Sequence, residues 1–515
     1  MASLSADLRA TAARHGDRTA VVDGTTSLNY AELLEAANGV SRSLVENDVG
    51  SGDCVVWHGA KAAVALLVVY GILLAEAGYV PIDPDGPFAR AELIVGRCRP
   101  RAVVADALAR AQWVEAGAAI TWRPLNSTSV HTADLWLGIP EASPRLPLND
   151  LAYVLHTSGS TGLPKGVVHT HLSAQAFVDW SVTELALTVD DVIVNSAPLH
   201  FDPSTLHLFG ACRVGATVAI LPSAAAAFPA AYLDFCREVG ATVLYAVTST
   251  MAWLTRRGQE LMPELTALRA VVFGGEVMQP ADMNALLAGW PSARFINVYG
   301  PTESNVATFH ELRVRKLAPD AVIPIGRPLP GTDVIVVDAD RKPCPVGETG
   351  ELLVRGATMM AGYLDPAETA RAFVRTEGDM WYATGDHVFE NDHGELVYVG
   401  RRDGQIKSRG YRVELGEIER HIRAVDGVRE CVVVAVPQPI VSSVITAFVD
   451  ASSEVAATLP ELLAARVPRY MIPERIIAVG GELPRNSNGK ADRAYLADLA
   501  ARSALVDIAG FTSVR

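Results

Sequence analysis

The amino-acid sequence predicts an α/β protein of two units, a large N-terminal domain of βαβ sheet subdomains with a β-rich segment, joined to a small α+β C-terminal domain. Three observations carry this. Short apolar runs alternate with Ala/Leu-rich stretches through most of the chain, the pattern of parallel strands with helices on their faces. After about residue 310 the texture changes to strand-like runs separated by Gly, Pro and Asp turns, which predicts a more antiparallel sheet. A second change follows the charged stretch Gly-Arg-Arg-Asp-Gly at 400–404, which sets the domains at 1–402 and 403–515.

In chain order, residues 54–57 form a strand before a helix over 61–75. That helix contains a run without charge, 62–75, of 14 residues, short of the roughly 18–20 that cross a bilayer, so it is expected in the core. Residues 242–247 and 249–256 repeat the strand-helix pattern. The β-rich segment contributes strands at 334–337, 351–354 and 395–399. In the C-terminal unit a helix over 417–425, a strand over 431–436 and a helix over 459–465 are expected.

With 515 residues the chain has ample core for more than one domain. Its 44 basic against 58 acidic residues give a formal charge of −14 with no Lys/Arg-rich run, which argues against nucleic acid or an anionic membrane as main partner. The N-terminus reaches charged residues too early for a signal peptide, so a cytoplasmic enzyme is expected. Cys54, Cys98, Cys212, Cys236, Cys344 and Cys431 lie far apart without a C-x-x-C pair, as suits reduced, buried thiols.

The most informative segment follows the apolar run 151–155. Thr157, Ser158, Gly159, Ser160, Thr161 and Gly162 lead to Lys165 in the order T-S-G-S-T-G-L-P-K-G. Exposed backbone N–H groups, hydroxyls and one ammonium there can surround phosphate oxygens. It is not a Walker A loop, because Pro164 stands where glycine is required and Gly166 follows the lysine. The order resembles the signature loop of the adenylate-forming superfamily, which includes acyl-CoA synthetases, luciferases and the amino-acid-activating domains of nonribosomal peptide synthetases. The resemblance runs from L-N-Y-A-E-L at 28–33, through G-Y-V-P-I-D-P at 78–84, to N-S-N-G-K at 486–490.

That resemblance implies roles for further residues. In N-V-Y-G-P-T-E, Asn297 and Gly300 belong to the nucleotide motif, Tyr299 stacks on adenine, Thr302 bonds the α-phosphate and Glu303 holds Mg²⁺. A hard cation bound to phosphates commonly takes one or two protein carboxylates. Gly274, Gly275 and Glu276 flank adenine. Asp386 takes the ribose hydroxyls, an acceptor-only task, and Arg401 contacts ribose and phosphate. Lys490 is the catalytic lysine, bridging carboxylate and phosphate oxygens while ATP loses pyrophosphate. Asp403 is the hinge about which the small domain turns to withdraw Lys490 and present residues 405–414 to a thiol.

The stretch F-D-P-S resembles the motif of amino-acid-activating members, in which the Asp pairs with the substrate's ammonium. A carboxylate in an apolar pocket needs a cation. By position the pocket comprises Asp202, Pro203, Leu206, Tyr245, Val272, Gly274, Val298, Val306 and Ala307. Its lack of other charge implies a neutral side chain, alanine first, with a β-amino acid open. Only 25 residues follow Lys490 and contain no phosphopantetheine site, so a separate phosphopantetheinylated carrier protein is the expected acceptor. The rivals are a carboxylate–CoA ligase and a catalytically silent binding protein. Intact Lys165, Glu303, Asp386, Arg401 and Lys490 argue against silence.

Overall fold

In this computed structural model the described residues are 3–24, 26–125, 134–141, 148–159, 163–401, 405–408, 410–436, 443–479, 482–485, 491–502 and 511–514. Among them, two large mixed sheets form the N-terminal framework. One has nine strands, with Arg294–Tyr299, Ala270–Gly274, Val243–Val247, Val192–Asn195, Thr217–Ile220 and Thr19–Val22 parallel in that spatial order and antiparallel strands at both edges. The other has eight, with Leu151–Thr157, Gly78–Ile82, Cys54–His58 and Ala102–Ala105 parallel at its centre.

The alternation of apolar runs and helices is thus the parallel sheet pattern it implies. Strand Cys54–His58 is buried throughout, as parallel strands covered on both faces are. Helix Ala63–Leu74 is apolar all round, and eleven of its twelve residues are buried, ten of them in the largest core cluster. Beside it runs helix Tyr30–Val45, which starts where the Asn29 side chain accepts from Glu32 N and Glu32 bonds back to Asn29 N. Among the described residues no helix is long and apolar enough to cross a membrane.

The β-rich segment is a five-stranded antiparallel sheet built on Thr332–Val337, Gly350–Gly356, Phe373–Thr376, Asp379–Glu390 and Leu396–Arg401. Beyond it, Gln405–Ser408 and Tyr411–Glu414 form a hairpin. A separate core gathers helices Leu415–Arg423 and Ser453–Ala464 around strands Glu430–Val436, Val444–Asp450 and Arg475–Val479. All six cysteines are free thiols, and five are buried as expected. Cys344 departs from that expectation and is half-buried, because it sits in the turn before Gly350–Gly356 and packs only on the edge of a small cluster.

Candidate active site

Val192–Asn195, Val243–Val247, Ala270–Gly274 and Arg294–Tyr299 end side by side, with Val247, Gly274 and Val298 in register. Chain loops diverge beyond the carboxyl ends of parallel strands, and ligand crevices form there. A cavity of about 500 Å³ opens at this edge. Ser196, Asp202, Pro203, Tyr245, Gly274 and Val298 line it, together with the hairpin residues Lys407, Tyr411 and Arg412. A Cβ on Gly274 would lie 2.2 Å from the Val298 carbonyl oxygen, so only glycine leaves this strand end open.

Asp202 follows Phe201 in a turn held by Ser204 Oγ, which donates to the Phe201 carbonyl at 2.6 Å, and Thr205 Oγ1, which donates to the Asp202 carbonyl at 2.7 Å. Burial pushes the Asp202 carboxyl up to about 7, against the opposing pull of Lys407 and Arg412. Much of the surrounding lining is apolar, with Pro203, Val247, Trp253, Val298 and Val306.

The Gly/Ser/Thr-rich loop joins the antiparallel strands Leu151–Thr157 and Lys165–Thr170, with Thr157 opposite Lys165. A Cβ on Gly159 would fall 2.2 Å from the Leu163 carbonyl oxygen, so no side chain fits at that position. Thr157 Oγ1 is buried without a partner among the described residues, and Ser158 Oγ donates to the Arg412 carbonyl at 2.7 Å. Lys165 Nζ stands 5.6 Å from the centre of the Tyr363 ring.

A linked polar network lies beside the cavity. Tyr299 donates from its hydroxyl to Asp386 Oδ2 at 2.6 Å, and Arg401 donates to Asp386 Oδ1 at 2.9 Å from the neighbouring strand. His169 Nε2 donates to the Thr302 carbonyl at 2.8 Å; burial lowers this imidazole to about 4, leaving it neutral. Glu303 is fully buried, with Oε1 accepting from the Tyr363 hydroxyl at 2.6 Å and Oε2 from Arg412 Nη1 at 2.7 Å. Burial alone would raise the Glu303 carboxyl, but Arg412 and Tyr363 outweigh it and hold it below its ordinary value.

The predicted residues therefore divide by place. Thr157, Ser158, Asp202, Pro203, Tyr245, Gly274, Gly275, Val298, Gly300, Thr302 and Val306 line the cavity. Glu276 bridges its two sides, accepting from Ser249 N at 3.2 Å and Gly410 N at 3.0 Å. Asn297 turns away and donates to the Pro324 carbonyl at 2.8 Å. Leu206, Val272 and Ala307 are not in the lining. Leu206 and Val272 are enclosed in the main core, and Ala307 packs in the cluster containing Tyr299, so these three shape the wall from behind. Ser160, Thr161, Gly162, Asp403 and Lys490 lie outside the described residues. Lys407, Tyr411 and Arg412 line the cavity from the segment 405–414 expected to meet a thiol, whereas Thr250, Trp253 and Tyr470 line it with no motif in the sequence to mark them.

The cavity suits a nucleotide. Its orphaned Thr157 hydroxyl and the side-chain-free turn at Gly159 leave donors for phosphate oxygens. For a divalent cation, Glu303 supplies a hard carboxylate at the nucleotide motif, and its present cationic partner is the Arg412 guanidinium.

Comparison with known proteins accords with this geometry. The model of the AMP-binding enzyme family matches residues 8–364, and that of the AMP-binding enzyme C-terminal domain matches 417–490. The chain is 35% identical over 495 residues to an L-proline–[L-prolyl-carrier protein] ligase of Pseudomonas fluorescens, covering 94% of this chain and 97% of that one. It is 34% identical over 505 residues to a ligase of the same name from Streptomyces coelicolor, covering 94% of each. Among solved structures, holo-PA1221, a nonribosomal peptide synthetase protein containing adenylation and PCP domains, superposes with a TM-score of 0.78 at 25% identity, over 96% of this chain and 84% of that one. The chain belongs to the AMP-binding enzyme family, and within it is related to amino-acid adenylation enzymes. It is an ATP-dependent, adenylate-forming ligase.

Proposed function

We propose that the protein activates a neutral, compact amino acid as its adenylate, with release of pyrophosphate, and transfers it to the phosphopantetheine thiol of a separate carrier protein. The observation that carries this is Asp202, a carboxyl pushed up to about 7 by burial in a largely apolar wall. Such a group binds an ammonium well, because the incoming cation restores the charge that desolvation disfavours.

In this reading Asp202 anchors the amine and so fixes the substrate carboxylate relative to the nucleotide. Thr157, Ser158, Ser160, Thr161 and Lys165 bind phosphate oxygens, Thr302 the α-phosphate, and Asp386 with Arg401 the ribose. Glu303 would hold Mg²⁺, which supplies charge neutralisation on the phosphates. Lys490 would orient the attacking carboxylate and stabilise charge at phosphorus. The division at Asp403, with rotation of 403–515, is part of the same proposal.

The pocket positions named from the sequence carry no charge besides Asp202, which supports a neutral side chain with alanine first, while the names of the two proline ligases support proline, whose secondary ammonium can also meet Asp202. Pyrophosphate exchange with ATP and Mg²⁺ tests the reading across alanine, proline, other α-amino acids, β-amino acids, aryl acids and fatty acids. Exchange with a neutral α-amino acid, lost in Asp202→Ala, is the expected result. Exchange only with unaminated acids overturns it in favour of a carboxylate–CoA ligase.

A further inference from the structure

The nucleotide motif turns back on itself after Thr302. The Thr302 carbonyl accepts from Asn305 N at 3.3 Å as well as from His169 Nε2, and a Cβ on Gly300 would lie 2.4 Å from the Asn305 carbonyl oxygen. Closing this turn puts Asn305 at φ 58°, a left-handed conformation that glycine and asparagine tolerate better than other residues. Asn305 also lines the cavity, with 4% of its surface exposed.

From that position the Asn305 side chain leaves the motif. Its Nδ2 donates to Thr205 Oγ1 at 2.9 Å, across 100 residues of chain, and Thr205 Oγ1 donates to the Asp202 carbonyl at 2.7 Å. The Thr205 hydroxyl is thus used in both directions, accepting from the nucleotide motif and donating within the turn that carries Asp202. Thr205 is 1% exposed, so water has little access to either bond. A run of three hydrogen bonds therefore joins Thr302 to Asp202.

We propose that Asn305 is a positioning residue that couples the two substrate sites through Thr205, so that a nucleotide at Thr302 and an amino acid at Asp202 each tighten the binding of the other. Each ligand orders one end of the run. The ligand that binds first meets the ordering cost, and the second finds its turn already in place. The link also bears on the chemistry, because a carboxylate placed by its amine and a phosphorus placed at Thr302 must approach to about 3 Å for attack. The inference rests on the adenylation reading, with Asp202 as amine anchor and Thr302 as phosphate contact.

The test is calorimetric titration of the full chain with the amino acid most active in pyrophosphate exchange, alanine or proline first, with and without α,β-methylene-ATP and Mg²⁺. In the wild type the analogue is expected to tighten amino-acid binding about tenfold. Asn305→Gly keeps the left-handed backbone and removes the amide, and Thr205→Val keeps the shape and removes the hydroxyl. In each the gain is expected to fall below about twofold. The double variant shows no further loss of the gain, because both changes break one link. Thr205→Ser, which retains the hydroxyl, keeps most of it.

A wild type that exchanges normally yet shows no gain overturns the inference and leaves the adenylation reading standing. Variants that bind the amino acid more weakly with and without the analogue alike, keeping the wild-type gain, overturn it equally, since that pattern marks a structural role alone. A wild type with no exchange on any amino acid instead removes the reading beneath it.

Discussion

Two parts of the cavity lining are built differently. The wall carrying Gly274 and Val298 consists of adjacent strand ends in a nine-stranded sheet, locked by ladder hydrogen bonds and the core behind them. Another part is a two-stranded hairpin that reaches the site through long-range contacts, chiefly Arg412 to Glu303, Gly410 to Glu276 and Tyr411 to Phe201. A wall backed by a core is preorganised, whereas one held by separable polar contacts can leave. This difference suits a site that must bind one substrate firmly and then admit another.

The comparison breaks first at Asp202. Asp202→Ala removes, from the turn at 201–205, the carboxylate proposed to meet the substrate amine, and is expected to cost about 4 kcal/mol of transition-state binding, roughly a thousandfold in kcat/KM for the preferred amino acid. Exchange assays on the same substrate check it.

Next comes a contact that joins the C-terminal unit to the N-terminal framework. Arg90 in helix Phe88–Cys98 meets Glu417 at 3.1 Å, with both side chains nearly buried. Arg90→Ala leaves the carboxylate without its partner and is expected to weaken docking of the C-terminal unit by about 3 kcal/mol. Faster hydrogen exchange across 411–423, with helix Ala63–Leu74 unchanged, is the expected pattern.

A third prediction uses pH. The Asp202 carboxyl is raised to about 7, and only its ionised form pairs with an ammonium. Amino-acid KM is therefore expected to climb about tenfold per unit as pH falls below 7. The stability effect has the opposite sense: because the folded value lies above the unfolded 3.8, stability declines as pH rises from about 4 to 7, and the penalty is complete above 7. Asp202→Asn should accordingly raise Tm at pH 8 while removing the pH dependence of KM.

The smallest expected effect sharpens the contrast. Tyr411→Ala removes the edge contact with Phe201, for about 1 kcal/mol of hairpin docking, along with a stack on Tyr470 inside the C-terminal unit. Transfer to the thiol should fall about fivefold, more than pyrophosphate exchange does, in single-turnover measurements of the two steps.

Much of the site was legible because its groups occur in short runs of distinctive chemistry. Thr157, Ser158 and Gly159 follow one strand, Gly274 and Gly275 another, and Tyr299 to Glu303 a third, so each reaches the sheet edge wherever its strand ends. Asp386 and Arg401, noted separately, proved to be cross-strand neighbours. The depth of the lining was less legible. Leu206 and Val272 are the right type for a pocket, yet side-chain packing encloses them in the core, while Trp253 and Tyr470 reach the cavity from elements with no local signature.

By itself the sequence determined the α/β architecture, through its alternating apolar runs, and the phosphate, nucleotide and Asp202 motifs, because these properties are local. Tertiary structure alone decided that Arg412 would neutralise Glu303 across 109 residues, that Tyr411 would lie between Phe201 and Tyr470, and that burial would push Asp202 up to about 7. Those outcomes depend on which groups are brought close and which are taken out of water, and both are set only when the domains meet.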